Sequence, residues 1–408
     1  LLTLEHIQAA RQRISGQIID TPLAPAHNLS ESCGSTLFMK LENLQVTGSF
    51  KERGALNKLL TLSPEEQQRG IFAASAGNHA QGVARHATRL GLKSTIVMPE
   101  ATPLLKVSRT RRFGADVVLH GAAYDESYVH AMTLCEEAGG VFVHPFDDLE
   151  VMAGQGTIGL EMVEKNPDLQ TVVVPIGGGG LIAGIAVAIK AINPRIQVIG
   201  VQTEALPSMK AAMAAGHPVE VPMASTIADG IAVRKVGVLT LEAVERYVDD
   251  IVTVNEEEIA SAILQLIEDE RVVAEGAAGA GLAAVLYGRV PQCKDRTTGL
   301  VICGGNIDTN VISTIIERGL VKTGRRVRLE VVLPDQPGAL ARLTQKIAEC
   351  RANIVEIHHE RHGMILRFGE TVVLASLETR GYDHVERLIA HLQSEGYSVR
   401  LESTWQNT

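Results

Sequence analysis

Lys51 stands in the run Gly48-Ser49-Phe50-Lys51-Glu52-Arg53-Gly54, where a glycine and a serine precede a lysine that opens a helical pattern. Such a turn can present one amine at the mouth of a pocket, beside an aromatic ring. In a partly apolar pocket the ammonium form is disfavoured, and the neutral amine can form a Schiff base or take a proton. Read by itself, the heptapeptide is equally an ordinary surface lysine on a helix. Three more loops carry candidate chemistry. Gly177, Gly178, Gly179, Gly180 and Leu181 follow the apolar run Thr171-Val172-Val173-Val174-Pro175 and open a helix. Bare backbone N–H groups at such a turn converge on an anion, and the helix dipole makes phosphate the natural guest. The spacing is neither a dinucleotide fingerprint nor a Walker loop, and the alternative is a tight turn that binds nothing. Ser75, Ala76, Gly77, Asn78 and His79 form a small-residue loop suited to a carboxylate, with the Asn78 amide available to a phenolic oxygen; the same string also serves as a routine turn and cap. Cys303-Gly304-Gly305-Asn306 reads as a buried cysteine beside two glycines, usually inert core.

All four loops require strand-to-helix turns to hold them. From Ile71 onward, β-branched runs at 94–100, 115–121, 140–145, 171–175, 197–202 and 299–305 alternate with helical spacing, as at 80–90 and 183–192. Alternation of this kind predicts an α/β fold with parallel sheets covered on both faces, and ligands beyond the carboxyl ends of the strands. Ser63-Pro64-Glu65-Glu66 marks a helix start with a cap residue and a proline behind it. After 321–327, a glycine-containing and basic linker, a second unit reads strand-helix-strand-strand-helix-strand. Leu340, Leu343 and Ile347 share one helical face there, and Leu388 and Leu392 another, the ferredoxin-like order.

Composition narrows the class. With 408 residues and 45% apolar side chains, the chain can build two or three sizeable cores. A formal charge of −9 without a basic block argues against nucleic-acid and anionic-membrane partners. Five scattered cysteines without a C-x-x-C pair suit a reducing compartment. The longest apolar run, 181–189, is too short to span a bilayer, and the amphipathic start LEHIQAARQRI lacks a signal-peptide layout. A cytoplasmic enzyme is the expectation.

The four loops in this order resemble the motifs of pyridoxal-phosphate enzymes of fold type II, the tryptophan-synthase-β class. The resemblance covers about residues 5 to 320, includes Ala153-Gly154-Gln155-Gly156-Thr157 and Thr226-Ile227-Ala228-Asp229-Gly230, and is closest to threonine and serine dehydratases. It implies a catalytic domain over 1–320, with a smaller subdomain inserted at about 50–145. It further implies that Lys51 holds pyridoxal 5'-phosphate as a Schiff base and, once freed, takes the substrate's α-proton. Phe50 would lie against the ring, and residues 177–181 would take the phosphate through their amides. Asn78 would meet the ring hydroxyl, residues 75–79 the substrate carboxylate, and Cys303 the pyridine nitrogen, where many relatives have serine. The implied reaction is β-elimination, converting threonine to 2-oxobutanoate and ammonia, and serine to pyruvate. A thiol at 303 leaves the ring nitrogen neutral, which suits elimination better than racemisation.

Two departures separate this chain from relatives. Serine racemases carry a serine acid where this chain has Ala76, which cannot donate a proton. Relatives with a divalent metal use carboxylates around Glu204, but Lys210 stands where a second acid is expected, so an ion pair is predicted and no metal. The C-terminal unit, at 328–404, resembles an ACT domain. Asp335, Pro337, Gly338 and Asn353 would flank an amino-acid effector such as isoleucine or valine, and paired modules imply a homodimer or homotetramer. His358, His359 and His362 read as surface histidines, since strand alternation splits them. A racemase, a β-replacing transferase of the cysteine-synthase kind and a non-catalytic amino-acid sensor are the rival readings; retention of Lys51 argues against the last.

Overall fold

The computed structural model describes residues 1–361 and 367–402. Contacts divide the chain into two compact units, Leu1–Ile307 and Asp308–Thr408. No helix among the described residues is long and apolar enough to cross a membrane.

The first unit contains two sheets. In the larger, strands run in the order Leu23–Pro25, Thr36–Leu41, Thr297–Ile302, Thr171–Pro175, Gln197–Thr203 and Asp250–Val254, all parallel except the first. The smaller is fully parallel, ordered Asp116–Leu119, Ser94–Met98, Ile71–Ala74 and Val141–Phe142. Strands covered on both faces lack alternation, and every residue of Ile71–Ala74 and Thr171–Pro175 is buried. Thr36–Leu41 and Asp250–Val254 are not among the predicted strands: the first is apolar but has only Thr36 as a β-branched residue, and the second, though β-branched, has no Gly or Pro at its ends. Thr36–Leu41 carries Lys40, a residue type that reads as surface. Here Lys40 is fully buried because its ammonium meets the Glu161 carboxylate and donates to the Thr21 carbonyl at 2.7 Å.

Helix Lys51–Leu60 packs on helices Leu149–Lys165 and Asn78–Arg89. It approaches the first closely where a Cβ at Gly154 would sit 2.6 Å from the Arg53 carbonyl, which explains a glycine there. The proposed start at Ser63 forms: its hydroxyl accepts from Glu66 N at 3.2 Å, and the Glu66 carboxylate accepts from Ser63 N at 2.8 Å.

The second unit begins with helix Thr309–Lys322 and continues as strand Arg326–Pro334, helix Ala339–Glu349, strands Asn353–Glu360 and Glu370–Glu378, helix Tyr382–Ser394 and strand Ser398–Leu401. Its antiparallel sheet has the ferredoxin-like order, with Arg326–Pro334 between Glu370–Glu378 and Ser398–Leu401. Alternate residues Val327, Leu329, Val331 and Leu333 face a core shared with Leu343, Ile347, Leu388 and Leu392.

Candidate active site

Four parallel strands end where the candidate loops begin. Leu41 leads toward Lys51, Ala74 into Ser75, Pro175 toward Gly177, and Ile302 into Cys303. These loops enclose one cavity of about 910 Å³, lined by Phe50, Lys51, residues 75–79, residues 177–181 and Cys303. The structure thus brings together every residue expected to hold cofactor or substrate.

The turn before Lys51 is fixed by a distant segment. Phe50 N donates to Cys303 O at 3.0 Å and Gly305 N to Gly48 O at 2.9 Å. Gly48 has φ +75°, and a Cβ there would lie 2.8 Å from Asn306 Oδ1, so both backbone and space demand glycine. Lys51 Nζ donates to Pro145 O at 2.6 Å and lies 5.2 Å from the Phe50 ring centre. Burial pushes its ammonium down to about 8, against smaller opposing pulls from Cys303 and Glu275. Near neutral pH a usable share of this amine is therefore unprotonated.

At the glycine turn, the amides of residues 177–181 have no acceptor among the described residues, and they open helix Gly180–Ile192. Five unpartnered donors on a cavity wall, with a helix N-terminus behind them, fit a phosphate group. The loop of residues 75–79 offers a weaker version. Ser75 N and Gly77 N are already bonded, to Val97 O and Ser75 Oγ, while the amides of Ala76, Asn78 and His79 are unpartnered among the described residues. His79 donates through Nε2 to Val143 O at 2.8 Å, and burial, helped by Lys51, pushes it down to about 3. It stays neutral at working pH, so it offers a carboxylate no charge. Burial raises the Cys303 thiol well above its ordinary range, so no thiolate forms there.

Sequence reasoning missed Glu275. Its carboxyl is 3% exposed, accepts from Asn78 Nδ2 at 2.8 and 3.1 Å and from Asn306 N at 3.2 Å, and lines the same cavity. Asn306 Nδ2 in turn donates to Asn78 Oδ1 at 2.8 Å, so Asn78 is held on both sides. Burial pushes Glu275 up to about 7 despite these bonds. One signal was available: a lone acid inside Val272-Val273-Ala274-Glu275-Gly276-Ala277-Ala278 has no polar neighbours to explain it.

Other expectations fare differently. Glu204 and Lys210 are both exposed, and among the described residues no ion pair joins them. Asp335, Pro337 and Gly338 share the turn after strand Arg326–Pro334, where Asp335 pairs with Arg361 at 3.4 Å. Asn353 is not beside them. It is registered with Glu378, opposite Arg326, whereas Pro334 faces Glu370, so the two places lie at opposite ends of the sheet, roughly 25–30 Å apart by strand rise. His358 and His359 are exposed on strand Asn353–Glu360, and His362 lies outside the described residues.

The family model described as pyridoxal-phosphate dependent enzyme matches residues 14–304. An L-threonine ammonia-lyase of Thermotoga maritima is 50% identical over 401 residues, covering 98% of this chain and 100% of that protein. The L-threonine dehydratase catabolic TdcB of Escherichia coli is 46% identical over 315 residues, 77% of this chain and 96% of its own length. Among solved structures, the processed form of threonine deaminase isoform 2 from Solanum lycopersicum aligns with a TM-score of 0.73 and 38% identity, covering 77% of this chain and 91% of that one. Maize serine racemase aligns at 0.74 and 32%, covering 78% and 98%. A lysine and a turn of unpartnered amides lining one cavity, and a family match running through nearly the whole first unit, place this chain among the pyridoxal-phosphate dependent enzymes, in their fold type II.

Proposed function

We propose that the protein is a threonine ammonia-lyase that converts L-threonine to 2-oxobutanoate and ammonia, and L-serine to pyruvate and ammonia. The observation that carries this reading is the end-to-end similarity to an L-threonine ammonia-lyase, second unit included, at 50% identity. When bound, pyridoxal phosphate supplies an aldehyde that an amine can hold and a conjugated ring that disperses negative charge from the substrate's Cα. The remaining work falls to the chain. Lys51 holds the cofactor and then takes the α-proton, for which a pKa of about 8 is well matched. The amides of residues 177–181 take the phosphate, Phe50 covers one ring face, Asn78 faces the ring hydroxyl, and residues 75–79 orient the carboxylate. Cys303 stays a neutral thiol, so at the position facing the pyridine nitrogen it would supply no charge to hold that nitrogen protonated, and the ring would disperse negative charge only moderately. That moderation favours loss of the β-hydroxyl.

The C-terminal unit is a regulatory ACT domain in this reading. Its turn at Asp335, Pro337 and Gly338 takes an amino acid such as isoleucine or valine within a homodimer or homotetramer. The enzyme acts in the cytoplasm, consistent with five unpaired cysteines.

A serine racemase is the second reading, motivated by the maize structure. Against it, Ala76 packs on the core of the smaller sheet and offers no proton from that wall. The test is release of 2-oxo acid from threonine and serine, with and without isoleucine or valine, alongside D-serine formation and deuterium incorporation at Cα in heavy water. Oxo-acid release without D-serine supports the lyase. Silence toward both substrates removes it.

A further inference from the structure

Thr240 lies in the first turn of helix Val238–Tyr247, is fully buried, and does not line the cavity. It touches the glycine turn from behind. Its hydroxyl accepts from Gly237 N at 3.1 Å and has two carbonyl acceptors in reach, Gly178 O at 2.7 Å and Gly237 O at 3.2 Å, so its single proton goes to the shorter bond, to Gly178. The Thr240 backbone is itself held, because the Asp147 carboxylate accepts the amides of Val238, Leu239 and Thr240 at 3.1, 2.9 and 3.2 Å. In a planar trans peptide, the carbonyl of one residue and the N–H of the next point in opposite directions. Fixing the Gly178 carbonyl on Thr240 therefore turns the Gly179 N–H away from Thr240, toward the opposite side. Gly179 has φ +98°, and neighbouring glycines have no side chains to resist a flip of that peptide. A flipped peptide would aim a carbonyl oxygen, not an N–H, at an anion.

We propose that Thr240 is a positioning residue for the cofactor phosphate, orienting the Gly178–Gly179 peptide so that the Gly179 N–H faces the cavity. This rests on the cofactor role of residues 177–181 and not on threonine as substrate. The test uses the full-length protein, freed of cofactor and titrated separately with pyridoxal phosphate and with pyridoxal, which lacks the phosphate. The wild-type preference for pyridoxal phosphate checks the cradle itself, independently of Thr240. Thr240→Val keeps the shape and removes the donor; it should weaken pyridoxal phosphate binding about 5- to 50-fold, leave pyridoxal within about twofold, and shift the phosphorus resonance of the bound cofactor. Thr240→Ser should retain the wild-type preference. If Thr240→Val does not fold, Thr240→Ala carries the same expectation. Undiminished phosphate preference in the valine or alanine variant, equal loss of both ligands, or loss of preference in the serine variant would overturn the proposal.

Discussion

Arg53, two residues past the cofactor-side lysine, is fully buried and spans two carboxylates. Its Nε and Nη2 donate to Glu42 at 2.8 Å each, Nη1 and Nη2 to Glu161 at 2.6 and 2.8 Å, and Nη1 to Thr157 Oγ1 at 3.0 Å. Arg53→Met keeps the volume but leaves Glu42 and Glu161 with Lys40 as their only cation in this cluster. Removing one partner from a buried ion pair costs about 3–5 kcal/mol, two to four decades in the folding constant. The sign with pH follows from Glu42. Burial works to raise its carboxyl, and Arg53 with Lys40 more than reverses this, holding it below the ordinary range. Its contribution is present above the unfolded carboxylate pKa and fades as pH falls through the folded one. In the variant, burial acts on Glu42 without Arg53 to oppose it and raises the carboxyl, so the deficit should be largest near pH 7 and shrink toward pH 5, where the stranded carboxylate takes a proton. Urea denaturation of the first unit's fluorescence and circular dichroism, at both pH values, measures it. Arg53→Met combined with Glu42→Gln leaves one complete pair, Lys40 with Glu161, and should recover more than half the loss. A deficit under about 1 kcal/mol at pH 7, or one that grows on acidification, refutes the reasoning.

Lys51→Ala should lower lyase activity by at least about 10²–10⁴-fold and abolish fixation of the cofactor by borohydride; a variant that remains fixable would place the attachment elsewhere. Gly178→Ala pushes a methyl into the Phe146 ring, an overpacking of about 1–3 kcal/mol, and should lower cofactor retention on dialysis about 5- to 150-fold, a loss undetectable if the turn does not hold the phosphate. Glu275 is raised by burial from 4.5 to about 7, so the folded state keeps a proton the unfolded chain has released. Stability falls as pH rises across that window, by up to about 3 kcal/mol. Glu275→Gln should flatten that decline, and parallel denaturation profiles of the two proteins from pH 4.5 to 8 would count against a buried acid there.

The cofactor loops were legible because each is a contiguous string at a strand-to-helix turn, where small residues have few structural excuses. Lys51, the glycines of 177–180 and the small-residue loop at 75–79 announce themselves that way. Glu275 and Thr240 do not, because their partners are set by register between remote segments: Glu275 meets Asn78 across 197 positions, and Thr240 meets Gly178 across 62. Strand Thr36–Leu41 was hidden by Lys40, whose burial depends on an acid 121 positions away. Asn353 was grouped with Asp335 by motif, yet sheet register, which no local pattern encodes, sends them to opposite ends.

The stitching of the Gly48 turn to Gly305 and Asn306 has a consequence for biosynthesis. Asn306 Nδ2 donates to Thr47 O at 2.6 Å across 259 positions, so the turn that aims the lysine lacks this long-range clamp until residue 306 has left the ribosome. Contacts this far apart in the chain form late and slowly. A nascent chain halted before Ile302 would carry its lysine and its glycine cradle but could not set one against the other. Acquisition of the cofactor is thereby tied to the arrival of the last strand of the first unit.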